Sequence, residues 1–261
     1  MREEKVRINN LNINLKIAGQ GPAILILHGW GGSSDSWLEV QNDLVSRGYS
    51  VVCPDLPGFG KSDGPPKPWA VDDYVEWTRG FISYMNSRQE FPEFFSLLGH
   101  SFGGRIAIKF SVRYPEKIKK LVLCDAAGIK FEPDIKTKTV LAAAKIGKAL
   151  FSLRIFAIIR EWARDLFYLV LRNKDYVKAR GVMRETMKLV LNEDLLPELP
   201  KISLRTLIVW GDEDELVPLK CAQVFKEKIA GSEFVVLEGV GHSPHLEKPL
   251  ELAKIIDSFL K

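Results

Sequence analysis

Short apolar segments of strand length alternate with longer segments of helical periodicity along most of this chain. The apolar segments are continuous, which is typical of strands that are buried on both faces of a sheet. Such strands are joined by crossover helices, so the alternation predicts an α/β fold with a mostly parallel sheet and helices on both faces. The predicted strands are Ala23–Leu27, Tyr49–Cys53, Phe95–Leu98, Lys120–Cys124, Thr206–Trp210 and Phe234–Leu237.

Amphipathic segments between and after these strands are predicted to form the covering helices. At the N-terminus, Val6–Ile8 and Leu11–Ile17 are separated by Asn9-Asn10, a pair that favours a tight turn. We therefore expect a hairpin at the edge of the sheet. The predicted helices are Trp37–Arg47, Val71–Ser87, Gly103–Tyr114, Cys221–Ile229 and Leu250–Leu260.

The alternation stops between about Phe131 and Pro200, where the pattern becomes helical. In the second helical segment of this stretch, apolar residues recur at the spacing of one helix face. The simplest organisation is a core formed by residues 1–127 and 201–261, interrupted by an all-helical insertion over residues 128–200. The predicted helices of the insertion are Ile135–Phe151, Leu153–Leu171 and Asp175–Leu191.

Composition excludes several classes of protein. With 261 residues, 46% of them hydrophobic, the chain can bury a large core. Its longest uncharged apolar stretches are far shorter than the roughly 18 residues of a bilayer span, and no secretory signal is visible. A cytoplasmic protein without an integral membrane segment is therefore expected.

The net charge of +4 is too small to indicate nucleic acid as a partner. The widely spaced Cys53, Cys124 and Cys221 indicate buried thiols.

A candidate nucleophile lies in Gly99-His100-Ser101-Phe102-Gly103, which directly follows a predicted strand and opens a predicted helix. A serine on such a sharp turn presents its hydroxyl group at the end of the sheet, and the two glycines let the turn close without Cβ clashes. The N–H groups in the first turn of the helix can stabilise negative charge beside it. Ser101 is therefore the candidate nucleophile.

A serine hydroxyl needs a general base, and the chain has four histidines. His242 lies in a polar loop between the last predicted strand and the last predicted helix, at the same sheet edge as Ser101. Gly241 before it allows close approach of the main chain. His242 is the candidate base, whereas His245, next to the closing helix, is expected to have a structural role.

The base in turn needs a carboxylate to orient it. Four consecutive carboxylates, at positions 212–215, follow the predicted strand that ends at Trp210. They cannot all be buried beside one imidazole, because like charges raise one another's pKa values. Asp214 is favoured because the loop has turned away from the strand there and three apolar residues follow at 216–218. Asp212 remains an alternative, as does Asp125 at the end of an earlier strand.

The glycine-rich sequence His28-Gly29-Trp30-Gly31-Gly32 follows the first parallel strand. Its glycines allow the main chain to curl towards the nucleophile and direct an N–H group at a substrate oxygen. The candidate oxyanion donors are the backbone N–H groups of Trp30 and Phe102.

With these parts in the order Ser101, Asp214, His242, the chain resembles the α/β-hydrolase superfamily over nearly its whole length. The resemblance implies an eight-stranded sheet and a helical cap over residues 128–200. It also implies Ser101 as nucleophile, Asp214 as acid, His242 as base and the amides of Trp30 and Phe102 as oxyanion donors. The motifs that carry it are His-Gly-Trp-Gly-Gly at 28–32, Asp-Leu-Pro-Gly-Phe-Gly-Lys-Ser at 55–62, Gly-His-Ser-Phe-Gly-Gly at 99–104, and the acid and histidine loops at 211–214 and 241–247.

Departures from other branches of the superfamily narrow the chemistry that the resemblance implies. Haloalkane dehalogenases and epoxide hydrolases have aspartate where Ser101 stands, so alkyl-enzyme chemistry is not expected. Proline iminopeptidases, which are also similar, carry tryptophan at the position of Phe102. The expected function is a serine hydrolase that cleaves carboxylic esters of apolar or aromatic small molecules, with Trp162 and Phe167 of the insertion as candidate substrate contacts.

Other serine members of the superfamily leave alternatives open. Lactonases, carbon–carbon bond hydrolases, cofactor-free perhydrolases and ligand-binding receptors with slow turnover can retain the same three residues. No cofactor is expected, and no metal, because the four histidines form no ligand-spaced cluster with the cysteines. The expected partner is a small ester or lactone substrate, and the sequence does not predict the oligomeric state.

Overall fold

A computed structural model describes residues 1–130 and 181–261, which contain an eight-stranded sheet. Its strands are β1 (Arg2–Ile8), β2 (Leu11–Ala18), β3 (Ala23–Leu27), β4 (Ser50–Pro54), β5 (Phe95–His100), β6 (Ile118–Cys124), β7 (Thr206–Gly211) and β8 (Glu233–Leu237). Their spatial order is β1-β2-β4-β3-β5-β6-β7-β8. Strands β3 to β8 are parallel, whereas β2 is antiparallel to both of its neighbours.

The central strands are buried on both faces, as continuous apolar segments predict. Every residue of β3 and of β7 is buried. In register, Gly99 of β5 pairs with Leu123 of β6, and Leu123 with Ile208 of β7. Gly211 at the end of β7 pairs with Leu237 at the end of β8. The carboxyl ends of these strands therefore lie side by side, and the loops that follow them share one edge of the sheet.

The predicted N-terminal hairpin is present as β1 and β2. Its turn residues Asn9 and Asn10 have φ values of 49° and 66°, and Ile8 pairs with Leu11 across the turn. Positive φ at both central residues is the conformation that matches the twist of a two-residue hairpin, and asparagine tolerates it better than most residues. The hairpin thus forms because Asn9-Asn10 suits the turn.

Helices cover both faces of the sheet. On one face, Trp77, Phe110 and Phe225 contribute to one buried apolar cluster, and on the other Leu44 and Ile256 contribute to a second. The described helices are α1 (Leu38–Ser46), α2 (Val71–Ser87), α3 (Phe102–Arg113), α4 (Gly181–Asn192), α5 (Leu219–Lys228), α6 (Pro244–Glu247) and α7 (Pro249–Leu260), with single 3₁₀ turns at Ser34–Trp37, Pro115–Lys117 and Leu199–Lys201.

The three cysteines lie within this two-sided core. Cys53, Cys124 and Cys221 are all buried and free of disulfide bonds, which confirms the interpretation as buried thiols. Burial raises the pKa of each thiol, so the side chains remain neutral at physiological pH.

Residues 1–129 and 181–261 form one compact unit. Helix α4 belongs to it, and the guanidinium of Arg105 donates to the carbonyl oxygens of Val190 and Glu193, at 3.1 and 3.0 Å. Residues 181–200 of the predicted insertion are thus within the unit that holds the sheet. The first two predicted helices of the insertion lie outside the described residues. Within residues 1–130 and 181–261, no helix combines the length and apolar character needed to cross a bilayer.

Candidate active site

Four loops meet at the carboxyl ends of the parallel strands. Ser101 directly follows β5, Asp214 follows β7, His242 follows β8, and the loop from His28 to Gly32 follows β3. Open α/β sheets bind their ligands at this edge. The candidate residues predicted from the sequence therefore reach the same edge of the sheet from four separate segments.

Ser101 has a strained backbone, with φ of 51° and ψ of −113°. Such a conformation costs a non-glycine residue roughly 1–3 kcal/mol and persists only where the surroundings impose it. Here the N–H of Ser101 donates to the carbonyl of Cys124 at 3.2 Å, and its carbonyl accepts from the N–H groups of Gly104 and Ala127, each at 3.0 Å. Bonds to the neighbouring strand and to the helix thus hold the turn.

The glycines that flank Ser101 are required by close main-chain contacts. A Cβ atom at Gly103 would overlap the carbonyl oxygen of Leu27 in β3. A Cβ atom at Gly99 would lie 2.5 Å from the carbonyl oxygen of Gly103. Helix α3 therefore packs directly on the sheet at this point, which brings its N-terminus against the loop that follows β3.

We expect Gly103→Ala to destabilise the protein by roughly 3 kcal/mol or more, because the new methyl group meets a backbone carbonyl that cannot move without disturbing β3. Gly64→Ala is the matched control, since a Cβ atom there would have its nearest neighbour at 4.0 Å. The control should stay within about 0.5 kcal/mol of the parent protein. Urea unfolding of the three proteins measures the difference, and equal stabilities for both variants would contradict the close packing.

A continuous hydrogen-bond chain joins Ser101, His242 and Asp214. Oγ of Ser101 lies 2.8 Å from Nε2 of His242, and Nδ1 of His242 lies 2.7 Å from Oδ2 of Asp214. Because an ionised carboxylate only accepts hydrogen bonds, Nδ1 carries the ring proton and Nε2 is left to accept from the hydroxyl group. In this tautomer the imidazole can remove a proton from Ser101.

Asp214 is the buried member of the four carboxylates at positions 212–215, and the other three are exposed. Its Oδ1 accepts from the backbone N–H groups of Leu216 and Val217, both at 2.8 Å. These N–H groups and the ring of His242 compensate the buried charge. The alternative Asp212 is exposed at the surface, where its Oδ1 accepts from the N–H of Val240 at 3.3 Å.

Two further histidines pack behind His242. The ring of His245 stacks on Trp37 with centroids 4.4 Å apart, and burial, together with the nearby His242, lowers the pKa of His245 to about 3. Nε2 of His100 donates to the carbonyl oxygen of His242 at 2.8 Å. Burial also lowers the pKa of His100 well below its usual value, so the ring stays neutral. His245 thus has the structural role expected of it, and His100 fixes the main chain of the candidate base.

The sequence does not predict the contribution of His100. It places His100 next to Ser101, but the direction of the side chain depends on how β5 approaches the loop after β8. The sequence does not predict the contact of His28 with Leu56 either. Its Nδ1 donates to the carbonyl of Gly29 at 2.7 Å, and its Nε2 accepts from the N–H of Leu56 at 2.9 Å. The buried His28 ring thereby anchors the glycine-rich loop.

The glycine-rich loop passes close to the candidate nucleophile. A Cβ atom at Gly29 would lie 2.8 Å from Nδ1 of His100 and 3.2 Å from Cβ of Ser101. Trp30 directly follows this close approach of the main chain to Ser101. Phe102 is the first residue of α3, where N–H groups have no partner within the helix. Gly29, which precedes Trp30, and Phe102 thus lie on main chain next to Ser101, and the role of the Trp30 and Phe102 N–H groups as oxyanion donors stays a prediction.

Aromatic side chains form an apolar cluster beside Ser101. The ring of Trp30 packs edge-on against Phe59 and Phe102, with centroids 4.8 and 5.2 Å apart, and Tyr74 packs edge-on against Phe102 at 5.0 Å. Phe59, Phe102 and Tyr74 are buried and Trp30 is half-buried, so Trp30 is the member of this cluster that a hydrocarbon group of a ligand could contact. The predicted substrate contacts Trp162 and Phe167 lie outside the described residues.

Across the described part of the chain, Asp125, Asp214 and His242 form the one group of three side chains that could hold a metal ion. One ligand atom from each lies within 4.8 Å of the others. Since Asp214 and His242 already share a hydrogen bond, a cation at this position would have to break it. The arrangement suits proton transfer better than metal binding.

This sheet order, with a serine between β5 and α3, defines a hydrolase of the α/β class. Residues 22–249 match the family described as alpha/beta hydrolase fold, which is most of the chain. The chain belongs to this family. Both the expected fold class and the resemblance inferred from the motifs are confirmed.

Several relatives resemble the chain over nearly its whole length. Pimeloyl-(acyl-carrier protein) methyl ester esterase of Aeromonas hydrophila is 30% identical, over 96% of this chain and 100% of that protein. A monoacylglycerol lipase of Homo sapiens is 26% identical, over 93% of this chain and 76% of the lipase. Among solved structures, a serine hydrolase involved in carbazole degradation is 26% identical with a TM-score of 0.74, over 99% of this chain and 98% of that one.

Proposed function

We propose that this protein is a serine hydrolase that cleaves carboxylic esters with an apolar acyl group. The observation that carries the proposal is the hydrogen-bond chain from Ser101 through His242 to Asp214 at the end of a parallel sheet. Relatives named as a methyl ester esterase and as a monoacylglycerol lipase support an ester bond as the target.

In the first half of the proposed reaction, Oγ of Ser101 attacks the ester carbonyl carbon while Nε2 of His242 takes the hydroxyl proton. Asp214 stabilises the resulting imidazolium. The N–H groups of Trp30 and Phe102 donate hydrogen bonds to the carbonyl oxygen and stabilise the negative charge that develops there. Because these groups are fixed in the main chain, they need little reorganisation. The tetrahedral intermediate then collapses, and His242 returns the proton to the departing alcohol.

In the second half, water replaces the alcohol. His242 removes a proton from the water as its oxygen attacks the acyl-enzyme, and a second tetrahedral intermediate forms on the same oxyanion donors. Collapse returns the proton to Oγ of Ser101 and releases the carboxylic acid. One alcohol and one acid are produced for each water consumed, and Ser101, His242 and Asp214 return to their starting states.

The apolar cluster of Trp30, Phe59 and Phe102 supports an acyl group without charge near the carbonyl carbon. We also propose that the part of the predicted insertion 128–200 that lies outside the sheet-containing unit forms a cap, with Trp162 and Phe167 as substrate contacts. Both relatives named above act, by their names, on esters of acyl chains. Lactones and substrates cleaved at a carbon–carbon bond are the alternatives that a substrate panel separates.

We expect kcat/KM for p-nitrophenyl esters to rise by roughly fourfold per added methylene from acetate upward, until the apolar site is filled. Burial of one methylene is worth about 0.8 kcal/mol, and each 1.36 kcal/mol is about tenfold in rate. Trp30→Leu removes aromatic surface but keeps the main chain, so it should flatten this dependence. Steady-state hydrolysis of the ester series by both proteins measures the two slopes.

The same assay tests the proposed function as a whole. Lactones and open-chain esters of equal carbon number are compared at equal concentration, and faster lactone opening would reject the open-chain ester proposal. Turnover that stops at one product per protein molecule would indicate a ligand-binding receptor instead of an enzyme. An equal rate for every acyl length would contradict an apolar acyl site at Trp30.

A further inference from the structure

Asp125 is a buried carboxyl group that the mechanism above does not use. It directly follows β6, is fully buried, and has a φ of 41°. Its N–H donates to the carbonyl of Val209 at 3.0 Å, and its Oδ1 accepts from the N–H of Gly211 at 2.9 Å. Both partners belong to β7, so Asp125 is held against the strand that leads into Asp214.

One carboxyl oxygen each of the buried Asp125 and Asp214 and a ring nitrogen of His242 lie within 4.8 Å of one another. Two ionised carboxylates this close would repel each other in a buried site, so one of them keeps a proton that it can donate to the other. Asp214 accepts from two backbone N–H groups and from His242, which favour its charge. Asp125 accepts from the N–H of Gly211 and, at 3.5 Å, from the weakly donating thiol of Cys124. The shared proton therefore belongs on Asp125.

The titratable groups that face Asp125 agree with this assignment. They are Asp214 from the loop after β7, His242 from the loop after β8, and the Cys124 thiol of its own strand. Burial is the largest effect on Asp125 and, with the charge of Asp214, raises its pKa from 3.8 to about 8. Burial raises the pKa of Cys124 well above its usual value, so this thiol stays neutral.

We propose that Asp125 is a positioning residue: at neutral pH it keeps its proton and donates it in a hydrogen bond to Asp214, which fixes that carboxylate against His242. The inference rests on the proposed function, because it assumes that Asp214 serves the catalytic chain. When Asp125 loses its proton, the donated hydrogen bond becomes repulsion between two buried negative charges. The alignment of Asp214 with His242 is then no longer held.

Two substitutions separate the proton from the backbone conformation. In Asp125→Asn, the amide can still donate to Asp214 and accept from Gly211, and asparagine tolerates the positive φ. That variant cannot titrate. In Asp125→Gly, the backbone conformation is allowed but the donor is gone. Wild type and both variants are therefore compared as full-length proteins in every measurement.

The pH dependence of ester hydrolysis is the first readout. In wild type, kcat should fall as pH rises through about 8, whereas Asp125→Asn should stay within about threefold of wild type at pH about 7 and show no such fall. Asp125→Gly should lose roughly 10- to 100-fold in kcat with little change in KM, the equivalent of one hydrogen bond to a charged group. If Asp125 had a purely structural role, Asp125→Asn would show the same fall of kcat at alkaline pH as wild type.

Stability against pH is a second readout that needs no activity. Because Asp125 keeps in the folded protein a proton that the unfolded chain releases above about pH 4, the contribution of Asp125 to the stability of wild type falls as pH rises from about 4 to about 8. Asp125→Asn lacks this loss, so its Tm should exceed that of wild type by a margin that grows over this interval and then levels off. Infrared difference spectra should show a protonated carboxyl band that is lost near pH 8 in wild type and is absent in Asp125→Asn.

The outcomes distinguish this inference from the proposed function. If wild type hydrolyses no ester, the proposed function fails, while the Tm series and the infrared band still decide the state of Asp125. The inference would be overturned if kcat of wild type and of Asp125→Asn fell in the same way at alkaline pH. A difference in Tm that stays constant across pH would also overturn it. Loss of the carboxyl band near pH 4 would also overturn it, because Asp125 would then be ionised at neutral pH.

Discussion

Ser101→Ala should lower kcat for a p-nitrophenyl ester by roughly 10⁴- to 10⁶-fold, because the variant has no hydroxyl oxygen to form the acyl-enzyme. The oxyanion donors and the substrate site remain, so a small rate above that of water alone should persist. KM should change little. Steady-state hydrolysis of the best ester of the series measures the loss. Intact-protein mass spectrometry of parent and variant after treatment with a fluorophosphonate probe shows whether labelling depends on Ser101.

Ser111→Ala is the matched control for this substitution. Ser111 is a buried serine of the same helix α3, where its Oγ donates to the carbonyl of Ile108 at 2.8 Å. The control removes a buried hydroxyl group at a distance from the strained turn, and it should keep the activity and the labelling of the parent. If Ser101→Ala retained most of the activity, or still took up the probe, another nucleophile would be responsible.

Asp214→Asn should lower kcat by roughly 10⁴-fold while the fold is kept. The amide presents a neutral group to Nδ1 of His242, so the imidazolium that forms during attack on the ester loses its charged partner. The amide can also donate to Nδ1, which would leave His242 in the tautomer that cannot accept the proton of Ser101. Steady-state kinetics at the pH of maximal activity measure the effect.

Asp212→Asn tests the same chemical change two residues away. Asp212 is exposed, so its variant should hydrolyse esters within about twofold of the parent. Comparison of the two variants tests whether the loss of kcat depends on a carboxylate that is buried against His242 or on any negative charge in this loop. Near-normal activity in Asp214→Asn would show that a different carboxylate, with Asp125 the first to examine, orients His242.

Much of the sheet could be predicted from the sequence, because a continuous apolar segment of strand length is stable only in the centre of a covered sheet. All six predicted parallel strands are present, with ends within two residues of those expected. The larger differences have visible structural causes. Strand β5 continues to His100, two residues past its apolar segment, because His100 pairs with Cys124 of β6. Helix α5 begins at Leu219, two residues earlier than predicted, directly after Pro218.

By itself the sequence determined which segment each candidate residue follows. Ser101 had to lie at a strand-to-helix turn, and Asp214 and His242 had to lie at the same edge, because parallel strands end together. Their catalytic roles stay predictions that the substitutions above test. Local pattern is sufficient for these placements, since the alternation of strands and helices sets the direction of each strand.

Only the tertiary structure decided which carboxylates are buried and which partners they have. Asp214 and Asp125 are 89 positions apart in the chain, yet parallel pairing of β6 with β7 brings their carboxyl oxygens within 4.8 Å of each other. The number of N–H donors around each carboxylate then sets which one keeps a negative charge and which one keeps the proton. Spacing along a chain does not specify these donors, because they come from strands and loops that become neighbours only when the sheet is assembled.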